Sequence, residues 1–232
     1  MIGKSVEREN VLSRPPVDVA WQGTGRGASS AYVHPTALVE TERMGEGTRV
    51  WAFTHISSGA VVGENCNIGS HCYVEAGVRI GNSVTIKNGN FLWAGVTIRD
   101  GAFVGPQVVL TNDLHPRSPR LAQASPRYSS DEWLAPTLVE EGASIGGGAV
   151  ILAGVTLNRF CMVAAGAVVT KSVPAHALVM GVPAKVAGWV CSCGTRLEFE
   201  GEEKSASCEQ CFREFELIDG ELLQQGAGIQ AL

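Results

Sequence analysis

Aliphatic side chains return at every sixth position over much of this chain. One block runs from Val50 to Leu110, and a second runs from Val139 to Val169, one step out of register with the first. A six-residue period is a multiple of the two-residue strand period and fits neither the α-helix nor the heptad. Hexapeptide periods are typical of parallel β-helices, so the pattern predicts an all-β solenoid. The aliphatic positions are Val50, Ile56, Val62, Ile68, Val74, Ile80, Ile86, Leu92, Ile98, Val104, Leu110, Val139, Ile145, Ile151, Leu157, Val163 and Val169.

Small and polar residues fill the positions between the aliphatic ones, and Gly often follows directly, as at Gly63 and Gly81. Glycine permits the tight corners that short strands need. Stacked coils then bury the aliphatic residues in common columns, each contributing roughly 1.5–3 kcal/mol relative to exposure. The repeats therefore account for the core, and function must lie elsewhere.

Residues 111–137 form the long break in the period, and they begin with Thr-Asn-Asp-Leu-His-Pro-Arg. Long loops in compact folds are usually functional or disordered. A rigid solenoid that projects a Pro-braced loop with His and Arg side chains favours a site at this loop. A plain solvated surface loop is the alternative.

Polar residues near the root of this loop predict a pocket. If one coil contains three hexads, residues eighteen apart stack, which places Glu75 and Trp93 in one column and His71 above Gly89. His34 and His176, near the two ends of the solenoid, are interpreted as surface residues. The predicted pocket consists of His71, Glu75, Asn88, Trp93, Asn112, His115 and Arg117.

Composition restricts the possible partners. The net charge is −5 and no run of Lys or Arg occurs, so nothing favours nucleic acid as a partner. The sequence contains no stretch of 18 apolar residues and no apolar segment of signal-peptide length in residues 1–30, which predicts a cytoplasmic protein without membrane insertion. Residues 1–30 show no hydrophobic period and are interpreted as a poorly packed arm.

The cysteines divide into two groups. Three of the seven fall within repeats, where a free thiol behaves as a small buried hydrophobe. The other four form two short pairs in residues 191–232, which predicts a zinc-ribbon-like tail with a structural zinc ion. The first pair has one intervening residue where two are usual, so a metal-free ribbon is the alternative. The four predicted ligands are Cys191, Cys193, Cys208 and Cys211.

Together these features resemble the hexapeptide-repeat acyltransferases, and among them the nucleotide-sugar N-acetyltransferases. The resemblance covers about residues 32–190 and implies a left-handed β-helix over residues 31–190, a homotrimer, and acetyl-CoA as co-substrate in a groove between neighbouring β-helices. The acceptor it implies is a UDP- or dTDP-linked amino-deoxy sugar. The motifs that carry it include Val33-His34-Pro35-Thr36-Ala37, Ile86-Lys87-Asn88-Gly89-Asn90, Thr111-Asn112-Asp113 and Gly181-Val182-Pro183-Ala184-Lys185.

The resemblance also implies roles for single residues. Asn88 matches a polar position that faces the sugar, and Asn112 and Arg117 match the loop that closes on the sugar nucleotide. The CoA arm is expected to run along later coils and the following segment, at Gly148, Ala165 and Lys171.

Two departures from the family pattern affect the site. Ala94 stands where several relatives carry an acidic residue, which predicts a different hydroxyl pattern on the sugar. Many relatives lack a His at the position of His115, which weakens a role for it as the base.

The predicted reaction is direct attack of the sugar amine on the thioester, with most of the rate acceleration coming from positioning. A backbone amide or Asn88 is the candidate for oxyanion stabilisation, and His71, with Glu75 four residues on, is the alternate candidate for accepting the proton. One alternative is a non-catalytic repeat scaffold whose Cys-rich tail recruits another protein. The other is a carbonic-anhydrase-like zinc enzyme, which requires three converging His, and the five His here show no close pair of the expected kind.

Overall fold

The computed structural model describes residues 31–199 and 204–225, so the predicted arm at residues 1–30 lies outside the described residues. Within the described residues the helical segments are two short 3-10 helices, Ser125–Tyr128 and Asp131–Trp133, and none has the length and apolar character to cross a membrane. The strands are β1 (Tyr32–Val33), β2 (Leu38–Val39), β3 (Arg49–Val50), β4 (His55–Ile56), β5 (Val61–Val62), β6 (Asn67–Ile68), β7 (Tyr73–Val74), β8 (Arg79–Ile80), β9 (Thr85–Ile86), β10 (Phe91–Leu92), β11 (Val96–Ile98), β12 (Phe103–Val104), β13 (Val109–Leu110), β14 (Thr137–Val139), β15 (Ser144–Ile145), β16 (Val150–Ile151), β17 (Thr156–Leu157), β18 (Met162–Val163), β19 (Val168–Val169), β20 (Ala177–Gly181), β21 (Ala184–Val190), β22 (Arg196–Leu197), β23 (Ser205–Ser207), β24 (Glu214–Ile218) and β25 (Glu221–Gln224).

Three parallel sheets form the walls of a solenoid. Sheet A contains β1-β3-β6-β9-β12-β15-β18-β20, sheet B contains β2-β4-β7-β10-β13-β16-β19, and sheet C contains β5-β8-β11-β14-β17. Consecutive strands enter different sheets in turn, so each full coil adds one strand to each wall. The predicted all-β parallel β-helix is confirmed, and the arrangement is consistent with the left-handed form.

The core follows the six-residue period. Val50 pairs with Ile68 and Ile68 pairs with Ile86, so residues eighteen apart stack as expected. Every aliphatic residue at the sixth positions of the two blocks is at most 2% exposed. The three cysteines of the repeats are buried in this core as well, and burial raises the pKa of the Cys161 thiol to about 12.

The corner between sheets A and B forms a continuous edge, which we call the A–B ridge. In the six coils that follow the first, one residue at this corner has a positive φ between 55° and 73°. Backbone hydrogen bonds join successive coils. From His71 onward, the N–H of each of these residues donates at 2.9 to 3.1 Å to the carbonyl of the residue just before its counterpart in the preceding coil, whereas the Phe53 N–H donates to the Thr36 hydroxyl oxygen at 3.2 Å. The positive-φ residues are Phe53, His71, Gly89, Gln107, Gly148 and Gly166.

The long loop leaves the solenoid at the corner between sheets B and C. Phe91 pairs with Val109, an offset of 18, whereas Val109 pairs with Val150, an offset of 41. The chain therefore carries an insertion of 23 residues at this corner, and the strands that follow it pair in register with the preceding coil. Because 23 is one short of a multiple of six, the period resumes one step out of phase.

The strand β21 turns back antiparallel against β20 and leads into the tail, where β22 pairs with it. A separate three-stranded antiparallel sheet, β23-β24-β25, follows. A second small hydrophobic core joins these strands. Its buried members are Cys191, Leu197, Ala206, Cys208, Phe215 and Leu222.

His176 lies between the two cores and is only 8% exposed. Its ring stacks on Phe160 at 5.2 Å and meets Phe215 of the tail edge-on at 5.3 Å. Burial lowers the pKa of His176, and its Nδ1 lies 3.0 Å from the Val190 carbonyl. The expectation that His176 is a surface residue is therefore wrong, because the tail covers it.

Candidate functional site

Four of the predicted site residues lie on the A–B ridge. His71 and Gly148 belong to the column of positive-φ residues, and Asn88 and Ala165 belong to the column directly before it. Three coil steps separate Asn88 from Ala165, about 14 Å at the usual strand spacing. The structure thus places the candidate catalytic residues and two candidate CoA-binding residues along one edge of sheet B.

Asn88 is exposed, and one end of its amide is fixed. Its Oδ1 accepts a hydrogen bond of 3.1 Å from the backbone N–H of Ser70 in the preceding coil. Only Gly fits at position 69, because a Cβ there would lie 2.4 Å from that oxygen. The side chain is held by its acceptor atom, which leaves the Nδ2 donor for a ligand. A fixed N–H donor is the group that stabilises an oxyanion.

His71 is exposed on the same ridge, with its ring stacked on Phe53 at 5.0 Å. Glu75 lies at the opposite edge of sheet B, because the strand β7 separates the two residues. Its carboxylate accepts a hydrogen bond of 2.7 Å from the Ala94 N–H. Within the described part of the chain, His71 and Glu75 therefore form no hydrogen bond with each other.

Three other predicted residues meet at the root of the loop, around Ala94. Glu75 binds the Ala94 N–H, and Asn112 Nδ2 donates to the Ala94 carbonyl at 3.3 Å. Trp93 is 36% exposed and stacks on Phe91 at 6.1 Å. Both backbone groups of Ala94 are thus held by polar side chains, and an indole face lies beside them.

Asp113 was not among the predicted site residues, yet it organises the loop. Its side chain is 10% exposed and bonds Arg127 at 2.5 Å and the Tyr128 hydroxyl at 2.7 Å. The Arg127 guanidinium holds the pKa of Asp113 down at about 2. Asp113 also accepts from the His115 N–H at 2.8 Å, so one carboxylate ties the start of the loop to its middle.

His115 and Arg117 are exposed on the loop itself. The Arg117 backbone N–H donates to the Tyr128 hydroxyl at 2.9 Å, which connects this segment to the Asp113 cluster. Lys171 follows β19 at the corner between sheets B and C, away from Gly148 and Ala165. Within one chain the predicted pocket is therefore divided between the two edges of sheet B.

The outward side of sheet B, between these edges, is apolar. Leu38 is 53% exposed, and Phe91 and Val109 are each 50% exposed. Tyr73 contributes its ring between His55 and Trp93. Contiguous exposed apolar side chains are typical of interaction surfaces.

The four tail cysteines converge. Their sulfur atoms all lie within 4.8 Å of one another, with Cys191 and Cys211 at 3.3 Å and Cys193 and Cys208 at 3.6 Å. A tetrahedral zinc with bonds of about 2.3 Å requires sulfurs about 3.8 Å apart, so the donor set fits Zn²⁺. This is the group that could hold a metal ion within the described residues, and it contains no His.

Comparison with known proteins addresses the identity of the repeats. The family described as bacterial transferase hexapeptide (six repeats) matches residues 43–76, and the hexapeptide repeat of succinyl-transferase matches residues 136–171. A dTDP-3-amino-3,6-dideoxy-alpha-D-galactopyranose 3-N-acetyltransferase from Aneurinibacillus thermoaerophilus is 44% identical over 193 residues, 83% of this chain and 94% of that protein. The chain belongs to the hexapeptide-repeat acyltransferases.

This hexapeptide-repeat acyltransferase also matches more distant proteins. A 2,3,4,5-tetrahydropyridine-2,6-dicarboxylate N-acetyltransferase from Staphylococcus aureus is 52% identical over 52 residues, and the match spans 22% of each chain. Among solved structures, a perosamine N-acetyltransferase from Caulobacter crescentus is 25% identical, with 68% of this chain and 57% of that chain covered and a TM-score of 0.38.

Proposed function

We propose that this protein transfers an acetyl group from acetyl-CoA to the amine of a dTDP-linked 3-amino-deoxy sugar. The observation that carries the proposal is the 44% identity across 94% of a dTDP-3-amino-sugar N-acetyltransferase. That match spans 193 residues, so it includes most of the solenoid. The fixed Asn88 amide and the polar cluster at Ala94 supply groups suited to such a reaction.

The proposed step forms a C–N bond and breaks the C–S bond of the thioester. The neutral sugar amine attacks the acetyl carbonyl, the coenzyme leaves as a thiolate, and the proton lost by the amine ends on that sulfur. Alignment of the two substrates supplies most of the acceleration, since no Ser-His-Asp arrangement is apparent in the sequence. Asn88 Nδ2 donates to the developing oxyanion, and His71 is the proton acceptor if one is used.

The division of the predicted pocket supports assembly as a homotrimer. The ridge residues and the loop residues lie at opposite edges of sheet B, and the apolar face between them is exposed. We propose that neighbouring copies pack against this face, so that the loop of one copy reaches the ridge of another. Light scattering of the purified protein at several concentrations measures the assembly, and a monomer that remains fully active rules it out.

The first test is a thiol-release assay with acetyl-CoA and a panel of UDP- and dTDP-linked 3-amino and 4-amino sugars. Mass spectrometry is expected to show one added acetyl group on a dTDP-linked 3-amino sugar. If no panel member reacts while CoA still raises the melting temperature, the acceptor is wrong and the acyltransferase assignment stays. If CoA does not bind either, the non-catalytic scaffold is supported.

A second test isolates Asn88. Asn88→Ala is expected to lower kcat by about 100- to 1000-fold, the usual effect of removing an oxyanion donor. Asn82→Ala is the matched control, because Asn82 accepts an equivalent bond from the Glu64 N–H at 2.9 Å at a different corner. Equal activity of both variants would exclude Asn88 from catalysis.

We also propose that the four tail cysteines bind one structural Zn²⁺ ion. Four thiolates fill a tetrahedral zinc and leave no open position, so the metal takes no part in acetyl transfer. The convergence of the sulfurs supports this, and a metal-free ribbon is the alternative.

A further inference from the structure

We infer that the metal-loaded tail is a cap that closes the last coil of the β-helix, and that Arg213 belongs to the metal site as a counter-charge. The inference rests on the zinc proposal above and is independent of acetyl transfer. Three sets of contacts carry it: the turns that present the sulfurs, the polar groups around the sulfurs, and the packing of the tail on the solenoid.

Two similar turns present the sulfurs. In the first, the Cys191 N–H donates to the Thr195 carbonyl and the Gly194 N–H donates to the Cys191 carbonyl, both at 2.8 Å. In the second, the Cys208 N–H donates to Arg213 at 2.9 Å and the Phe212 N–H donates to Cys208 at 2.8 Å. The unusual one-residue spacing of the first pair therefore does not prevent an equivalent turn.

Each turn places a left-handed residue directly after its second cysteine. Gly194 has a φ of 92°, which glycine adopts freely, but Phe212 has a φ of 57°. A bulky aromatic residue in this region is strained and persists where its surroundings enforce the conformation. Phe212 is 79% exposed, so packing of its side chain does not enforce it. The Phe212 N–H bond to the Cys208 carbonyl holds this conformation, and a metal ion bound by Cys208 and Cys211 would hold the turn further.

The negative charge expected of the metal-loaded site has a positively charged neighbour, Arg213. A Zn²⁺ ion with four thiolates carries a net charge of −2. Arg213 Nη1 lies 3.1 Å from the Cys211 sulfur, and the Thr195 hydroxyl lies 3.3 Å from the Cys193 sulfur. Such outer contacts orient metal ligands, and their loss typically reduces metal affinity by about 10- to 100-fold.

The tail packs on the end of the solenoid. Phe215 of the tail core meets His176, and the Val190 N–H donates to the His176 carbonyl at 2.8 Å. Trp189 packs against both hydrophobic cores. Solenoids require capping at their ends, because unpaired strand edges pair with other copies. Two of the six buried residues of the tail core, Cys191 and Cys208, are proposed zinc ligands, so we expect the metal to help keep Phe215 over His176.

The site is open on one side. A cleft of about 430 Å³ reaches Cys193, and its walls include Asp100, Glu141 and Phe160 of the solenoid. Cys193 itself is exposed, so we expect a chelator to reach the metal on the folded full-length protein.

The metal is tested first, by elemental analysis of the full-length protein. One zinc per chain is expected in the wild type and in Cys161→Ser, the matched control at a buried thiol of the β-helix, and none in Cys208→Ser. A wild-type chain that holds no zinc and takes up none from zinc chloride after reduction overturns the metal site. Acetyl transfer is measured separately, and its absence does not change the zinc content.

The cap is tested by hydrogen exchange on zinc-loaded and chelator-treated protein. Removal of zinc is expected to increase exchange in residues 173–190 and to promote association of chains by light scattering, while residues 50–110 stay protected. Unchanged protection of residues 173–190 without zinc overturns the cap. Arg213→Ala is expected to release zinc to a chelator at least about ten times faster. Arg196→Ala, an exposed arginine of β22 whose partner is Glu198, is the control, and equal release from both variants removes Arg213 from the site.

Discussion

The closed conformation of the long loop is expected to depend on the carboxylate of Asp113. Asp113→Asn keeps the size of the side chain but removes the charge that Arg127 and Tyr128 bind. Hydrogen bonds to charged groups contribute about 1.5–3 kcal/mol, and Arg127 is 33% exposed, which weakens its share through solvent screening. We therefore expect loop closure to lose about 1–2 kcal/mol, a rise of about 5- to 30-fold in the open population.

Limited proteolysis with trypsin measures this population directly. The bonds after Arg117 and Arg120 lie in the loop, and neither is followed by proline. When opening and closing are fast, the cleavage rate follows the open population, so cleavage is expected to accelerate about 5- to 30-fold. The melting temperature is expected to stay near that of the wild type, because the loop lies outside the solenoid core.

The pH dependence has a defined sign. The pKa of Asp113 is about 2 in the folded loop against an ordinary value of 3.8. A lowered pKa contributes stability that is fully present above the ordinary value and declines as the pH falls from about 4 to about 2. Hydrogen exchange of the loop is therefore expected to differ between wild type and Asp113→Asn at pH 5 and to converge near pH 2.

Asp131→Asn is the matched control, because Asp131 is an exposed carboxylate in the same loop. Equal cleavage of the wild type and Asp113→Asn would refute the reasoning. So would a comparable acceleration in Asp131→Asn, since the effect would then come from loop charge in general.

Four further substitutions test other parts of the molecule. Ile86→Ala, at a position with no exposed surface, is expected to lower the free energy of unfolding in urea by about 2–5 kcal/mol. Gly146→Ala is expected to raise the KM for acetyl-CoA, because the new Cβ would lie 2.4 Å from the Ala165 nitrogen on the ridge; an unchanged KM would show that this part of the ridge does not contact the coenzyme. His71→Ala is expected to lower kcat with little change in KM if His71 accepts the proton, whereas a role limited to packing on Phe53 changes only the melting temperature. Phe212→Gly is expected to bind one zinc per chain, like the wild type. Because glycine adopts the left-handed conformation without strain, the metal-free tail of this variant is expected to be more stable than that of the wild type by about 1 kcal/mol, measured in a chelator titration.

The sequence predicted the solenoid because its core is nearly one-dimensional. One aliphatic residue per six determines which side chains are buried, and the eighteen-residue coil then follows, as the pairing of Val50 with Ile68 shows. The same counting correctly stacked Glu75 with Trp93 and His71 with Gly89. Proximity of residues within one coil was less predictable. His71 and Glu75 are only four residues apart in the sequence, but strand β7 lies between them, so they lie at opposite corners of the coil.

Other features of the structure could not be predicted from the sequence, because they do not follow the six-residue period. Asp113 and Arg127 are 14 residues apart in a loop without repeats, so nothing in the pattern pairs them. The burial of His176 depends on Phe215, which belongs to a different strand system. The convergence of the cysteines was predictable because metal ligands come in short pairs, whereas their outer contact Arg213 follows no comparable rule.

The position of the long loop between paired strands affects how such enzymes can diversify. The paired strands on either side of it keep the same hydrogen-bonding register whether 18 or 41 residues separate them along the chain. Insertions and deletions at this corner thus leave the stacking of the walls unaltered. The loop can therefore vary in length and sequence during evolution while the A–B ridge, built from the unbroken corner, keeps its geometry.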